Sequence, residues 1–311
     1  MTTTFTPPAP LQTAVLFLVF NRPDTTTQVF EAIRQAKPQR LYVAADGPRD
    51  GREGEFELVA KVREIATEID WACEIKTLFR EKNLGCKYAV SEAISWFFEQ
   101  EEQGIILEDD CLPHQSFFFY CEKQLEMYKH NQDVWMINGF NPRHPGLDDD
   151  RYFLSRNPAV WGWATWRDRW SKYIVDISYN DGQIFHHDTL KLPHYVLSHY
   201  NKAFIAVSKG KIDTWDYQLL HLIMINNGYV AKTIPNLITN IGIEGAHSSI
   251  VGANHNVRHG SINYKFMTKL DCESGEQEDL WFYQKNYKHG FQKRLIDLVH
   301  RFYQKIKGNS P

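Results

Sequence analysis

Residues Thr13 to Phe20 read TAVLFLVF, an uninterrupted apolar run of strand length. Strands buried on both faces of a parallel sheet carry such runs, because helices cover both faces and leave no wet side. NRPD stops the run, and Pro23 with Asp24 opens a helix whose apolar positions Val29, Ile33 and Ala36 recur at helical spacing, with Asp24 or Thr25 as its cap. LYVAAD, Leu41 to Asp46, is the next strand, and the loop GPRDGREGE leads into a helix through Phe56, Val59, Val62 and Ile65. EIKTLF forms a third strand, Val90, Ile94 and Phe97 mark one face of a third helix after Gly85, and GIILE from Gly104 forms a fourth strand. This alternation predicts an α/β fold with a central, mostly parallel, Rossmann-like sheet flanked by helices.

Open parallel sheets collect ligands at the carboxyl ends of their strands. All four strands place polar groups there: Asn21 and Arg22, then Asp46, then Arg80 and Asn83, then Glu108, Asp109 and Asp110. Three adjacent acids at a strand end repel one another unless a cation holds them. A divalent metal, Mn²⁺ or Mg²⁺, is the expected cation, since these hard ions take one or two carboxylates and complete their shell with water and phosphate oxygens. The competing reading is a solvated turn whose acids cap the segment starting near Gln115. The buried strand before the triplet, Pro113 after it and the polar groups at the three other strand ends favour a site.

With these residues in view, the chain resembles a GT-A fold nucleotide-diphospho-sugar glycosyltransferase, similar to the N-acetylglucosaminyltransferase I type, as a bacterial member. The likeness runs through element order over roughly residues 13–250 and is carried by GIILEDDCLP, which matches that family's EDD variant of the DxD motif. It implies a UDP-sugar donor, Asp110 as the direct metal ligand, and Glu108 and Asp109 near the ribose and base. VFNRP resembles the family's nucleotide-binding segment, which implies that Phe20, Asn21 and Arg22 line the base and diphosphate region. Asp46 matches the acid that meets the uracil ring, although an Asp-Gly-Pro turn accounts for it in isolation. Arg80, Asn83 and Gly85 resemble the donor-binding stretch, where a guanidinium can pair with phosphate and glycine permits close approach.

Inverting transfer needs a base for the acceptor hydroxyl. In DTWDYQL, Asp216 begins a helix beside two aromatic residues and resembles the family's catalytic acid; Asp213 is its rival, and one of the two is expected to be only a helix cap. His247, in the Gly-rich loop GIEGAHSS, is carried as a second metal ligand, because GT-A enzymes often supply a C-terminal histidine. Trp161, Gly162 and Trp163 resemble the floor under donor sugar and acceptor, with the alternative that the tryptophans form a core wedge on a helix.

The rest of the sequence bounds these readings. For the 311 residues the resemblance implies a GT-A domain over 13–265, with a donor half (13–145) and an acceptor half (146–265), followed by a helical extension over 266–311. A net charge of -3 disfavours a nucleic-acid partner. Five cysteines with no CxxC pair argue against a disulfide framework and for a reducing compartment. With neither a signal sequence nor a membrane span, a cytoplasmic protein is expected. FQKRLIDLVHRFYQKIKGN is a basic amphipathic helix that packs on the body or lies against a membrane surface. The acceptor implied by the resemblance is a glycan or lipid-linked precursor. Two rivals remain: a sugar nucleotidyltransferase, which should carry a glycine-rich basic signature after the first strand, and a nucleotide-sugar or glycan-binding module without turnover.

Overall fold

The computed structural model describes residues 10–179, 190, 192–242 and 257–288. Its first strand, β1 (Ala14–Val19), is buried at every position, as its composition demands. It is followed by α1 (Pro23–Ala36), β2 (Arg40–Ala45), α2 (Glu55–Ala66), β3 (Glu74–Phe79), α3 (Gly85–Gln100) and β4 (Gln103–Glu108). Beyond β4 come the short β5 (Cys111–Pro113), α4 (Gln115–Tyr128), β6 (Val134–Asn138), β7 (Arg151–Ser155), β8 (Trp163–Trp166) and α5 (Arg167–Trp170). The last described elements are α6 (His194–Ser208), α7 (Asp216–Ile225), β9 (Tyr229–Thr233), β10 (Ile238–Asn240), β11 (Thr268–Lys269) and α8 (Cys272–Tyr283).

Nine of these strands form one sheet in the order β11-β7-β9-β6-β8-β4-β1-β2-β3, and β5 pairs with β10 in a small second sheet. β3, β2, β1 and β4 run parallel, so the expected α/β architecture is present. β8 runs antiparallel between β4 and β6, which makes the sheet mixed. The sheet continues without a break past residue 145, and β11, from beyond residue 265, adds to its far edge beside β7.

Three local expectations change. α1 starts at Pro23 with Arg22 in the cap position and no side-chain cap, so Asp24 lies in the first turn, where a carboxylate favours the helix dipole. In α2 the buried residue of the first turn is Glu55, while Phe56 is 69% exposed. The tryptophan cluster is a strand rather than a helix: Trp163 pairs with Ile106 of β4 and Asn138 of β6, and its ring stacks on Trp215 with centroids 5.8 Å apart.

The β5–β10 ribbon supports the acidic segment from behind. Asn240 pairs with Cys111, and the Ile241 N–H donates to the Asp110 carbonyl at 2.8 Å. His259 donates from Nε2 to the Leu112 carbonyl at 3.0 Å, and burial, aided by His114, pushes its pKa down to about 4. A depressed histidine contributes stability above its unfolded pKa of roughly 6.5 that is lost as pH falls toward 4. We expect about 3 kcal/mol of stability to disappear over that interval on this account. Buried Asp109 and Asp279, pushed up to about 6, act in the opposite sense. The measurement is therefore a difference: urea unfolding of His259→Gln and the parent at pH 7 and pH 4.5, in which the gap between them should narrow on acidification.

Candidate active site

Strand register alone brings four of the predicted residues into a row. Leu18 lies beside Glu108, Val19 beside Ala45 and Ala45 beside Phe79, so Phe20, Asp46 and Arg80 follow at one level of neighbouring strands, with Asp109 one position earlier, level with Val19. They border a cavity of about 870 Å³, which Asn21, Arg22, Asn83, Gly85, Glu108 and Asp110 also line. Asp213, Asp216 and Trp161 reach the same cavity from the other half of the chain.

The acid triplet is held by a guanidinium. Arg22 donates from Nη1 to Asp110 at 2.8 Å and from Nη2 to Asp109, and the Phe20 N–H adds a bond to Asp109 at 3.3 Å. The like-charge argument for a metal is thereby answered in part by a residue of the chain itself. Glu108 is different. No hydrogen bond or ion pair among the described residues engages its carboxyl, and burial, with Asp110, Asp109 and Asp216 close by, raises its pKa well above the usual range. Gly242 packs on the Arg22–Asp110 pair; a Cβ there would fall 2.4 Å from Asp110 Oδ2.

Asp46 is committed to the backbone. It accepts from the N–H groups of Gly47, Leu84 and Gly85 at 2.9–3.1 Å, fastening the start of α3 to the end of β2. Burial raises its pKa against these three bonds. Asn83 donates to the Gly47 carbonyl at 2.8 Å, and Arg80 pairs with Glu92 at 2.7 Å. Gly85 has φ +78°, and a Cβ on it would meet Asp213 Oδ2 at 3.1 Å, so glycine serves both the left-handed turn and the approach of the other half of the chain.

Asp216 opens α7, and its Oδ1 accepts from the Thr214 hydroxyl and from the Tyr217 N–H at 2.8 Å. Asp216, Asp213 and Glu108 all act on Cys86, whose thiol is pushed up to about 12 chiefly by burial and then by these acids. Six carboxylates, Asp46, Glu108, Asp109, Asp110, Asp213 and Asp216, thus line one cavity.

Two members of the tryptophan segment leave the site. Trp163 is 1% exposed in the core and does not border the cavity. Gly162 does not border it either; its φ is +59° and a Cβ would lie 2.3 Å from Ile238, so packing against β10 requires the glycine. Trp161 remains at the cavity wall, edge-on to Phe140 at 4.7 Å. His247 lies outside the described residues.

Sequence reasoning missed Arg49 and Glu55. Glu55 accepts from Asn21 at 2.9 Å and from the Arg49 N–H at 2.7 Å, and the Arg49 guanidinium, which also pairs with it, lies 5.4 Å from the Phe20 ring centre. Arg49 holds the Glu55 pKa down to about 2. The signal was available in part: a Glu opening a helix right after a strand-end loop is placed to meet groups at that end.

The donor set suits a hard divalent cation, being carboxylate oxygens with the Glu108 group unpartnered. Among the described residues no three His, Cys, Asp or Glu side chains form a metal cage by themselves. Such an ion would therefore share its shell with substrate oxygens and water.

No protein-family model matches the chain, and no curated protein matches it. Solved structures similar to part of it include HddC from Yersinia pseudotuberculosis, 10% identical, covering 50% of this chain and 78% of that one with a TM-score of 0.32. Glucosyl-3-phosphoglycerate synthase from Mycobacterium tuberculosis, solved with Mn²⁺, uridine diphosphate and glucosyl-3-phosphoglycerate, is 12% identical over 50% of this chain and 57% of that one, TM-score 0.31. The galactosyltransferase LgtC, in complex with donor and acceptor sugar analogs, is 12% identical over 68% and 70%, TM-score 0.33. TM-scores this low fall short of fold identity. Among the described residues no helix is long and apolar enough to cross a membrane.

Proposed function

We propose that the chain is a metal-dependent GT-A glycosyltransferase that moves a sugar from a UDP-sugar to a hydroxyl of a glycan or lipid-linked acceptor, with inversion. The observation that carries this reading is the convergence of the strand-end acids of β4 with Asp216 of α7 on one cavity. Asp110 would hold Mn²⁺ or Mg²⁺, and when bound the ion supplies Lewis-acid stabilisation of the leaving diphosphate. Glu108 and Asp109 are assigned to the ribose and base. Arg22 and Arg80 supply cationic groups for the diphosphate oxygens. Asp216 takes the proton of the acceptor hydroxyl as that oxygen bonds to the anomeric carbon and the bond from that carbon to the diphosphate oxygen breaks, releasing UDP. Asp213 is the reserve candidate for this role.

The binding-module alternative would need neither Asp216 nor the paired acids. The nucleotidyltransferase alternative is weakened by NRPD, which lacks glycines where that chemistry uses them. The proposed arrangement spans donor and acceptor halves meeting near residue 145 in a cytoplasmic protein; the basic stretch beyond residue 290, outside the described residues, is proposed to pack on the body, with peripheral membrane contact as the alternative.

Calorimetry with UDP-, GDP- and CDP-sugars, with Mn²⁺ and again with a chelator, tests the donor class. Metal-dependent binding of a UDP-sugar, lost in Asp110→Ala, is the expected outcome. If no nucleotide binds, the transferase reading falls and the binding module takes its place.

A further inference from the structure

Two of the cavity residues stand at the least supported side of the sheet. β3 is an edge strand: it pairs with β2 on one side and with no described strand on the other. Its last ladder bond runs from the Arg80 N–H to the Ala45 carbonyl at 3.0 Å. Strand ends with a free edge open readily unless side chains hold them. Yet Asp46 and Arg80, which directly follow β2 and β3, both border the cavity, so these two ends have to be fixed for the cavity to keep its form.

Arg63 of α2 meets this need from outside the cavity, which it does not border. Val59, Val62 and Ala66 bury the inner face of α2, and Arg63, next to Val62, is half-buried at its margin. Its Nη2 donates to the Arg80 carbonyl at 2.5 Å and to the Asp46 carbonyl at 3.2 Å, so one nitrogen bridges the carboxyl ends of two neighbouring strands. The guanidinium also lies 5.0 Å from the ring centre of Phe79, the last residue of β3. A permanently charged guanidinium is a suitable donor here, because it has no acceptor of its own to satisfy and cannot lose its proton. The loops that follow the two strands touch as well: a Cβ on Gly47 would lie 2.4 Å from the Lys82 carbonyl carbon. We propose that Arg63 is a positioning residue of the donor site: by tying the Asp46 and Arg80 carbonyls together, it fixes where the Arg80 guanidinium stands at the cavity and hence its pairing with the diphosphate. The inference rests on the transferase reading of the cavity and adds to it a residue that touches no ligand.

Calorimetry with UDP and Mn²⁺ tests this, since that probe carries the diphosphate whatever the sugar. In Arg63→Met the UDP affinity should fall about tenfold, the loss of one charge-assisted hydrogen bond between Arg80 and a phosphate oxygen. Arg63→Lys, which keeps a cation with N–H donors at the position, should lose less. The discriminating comparison is made on Arg80→Ala. If Arg63 acts through Arg80, adding Arg63→Met to Arg80→Ala should weaken UDP binding no further, whereas a general loosening of the fold would cost the same in both backgrounds. Urea unfolding of each variant gives the folded fraction at which its binding is read. Parental affinity in Arg63→Met, a Lys variant as weak as the Met variant, or an equal loss in both backgrounds would overturn the proposal while leaving the donor reading intact. A parent protein that binds no UDP would instead remove the donor reading, and the role of Arg63 with it.

Discussion

Replacing Asp216 with Asn should lower sugar transfer by a factor of about 10²–10⁴, the usual contribution of a positioned general base, while UDP-sugar affinity stays within a few-fold of the parent. The substitution is close to isosteric. The amide oxygen can keep the bonds that Oδ1 now accepts from the Thr214 hydroxyl and the Tyr217 N–H, so the start of α7 survives and only the proton-accepting capacity is lost. Steady-state kinetics with saturating acceptor, beside calorimetry of donor binding, separates the two quantities. A variant that transfers at the parental rate would transfer the base role to Asp213, the other acid of the segment that borders the cavity, and Asp213→Asn would then have to show the loss.

Replacing Arg22 with Met should cost about 3 kcal/mol of folding stability and abolish donor binding as well. Asp109 is 2% exposed and Arg22 is its ion-pair partner. Removing the guanidinium leaves the buried Asp109 carboxylate with only the Phe20 N–H as a donor, and stranding a buried charge in this way is among the more destabilising single substitutions. The same guanidinium holds Asp110, so its loss leaves the whole acid triplet to mutual repulsion. Urea denaturation measures the first effect. A variant as stable as the parent would show that Asp109 finds another donor when Arg22 is gone, the Phe20 N–H being the one already in place. Loss of binding without loss of stability would place Arg22 in ligand recognition alone.

The row of strand-end residues was largely legible in the sequence, and the reason is local. In a parallel sheet, the residue after each buried run falls at the same end, so Asn21, Asp46, Arg80 and Glu108 could be placed together from strand boundaries before any packing was known. The reading that a helix begins at Asp216 also matches the start of α7. Where pattern misled, a partner distant in sequence had intervened. The apolar spacing of α2 pointed Phe56 inward, but the pair that Glu55 makes with Arg49 and Asn21 turned the helix to bury the acid instead. Trp163 and Trp166 carry no period that separates a short buried strand from a helix, and their place between β4 and β6 depends on chain far from them on both sides.

Asp109 and Asp110 show the same division. Their crowding was plain in sequence, and a cation was the correct physical demand; that Arg22 meets part of it depends on β1 and β4 being neighbours, which only the assembled sheet establishes. By itself, then, the sequence determined an α/β chain with its polar groups gathered at one end of a buried parallel sheet, since apolar runs and the residues that end them are properties of neighbouring positions. The antiparallel insertion of β8, the removal of Gly162 and Trp163 from the site, and the joining of Asp216 to the strand-end acids were decided by tertiary structure, because each requires surfaces far apart in the chain to compete for the same buried space.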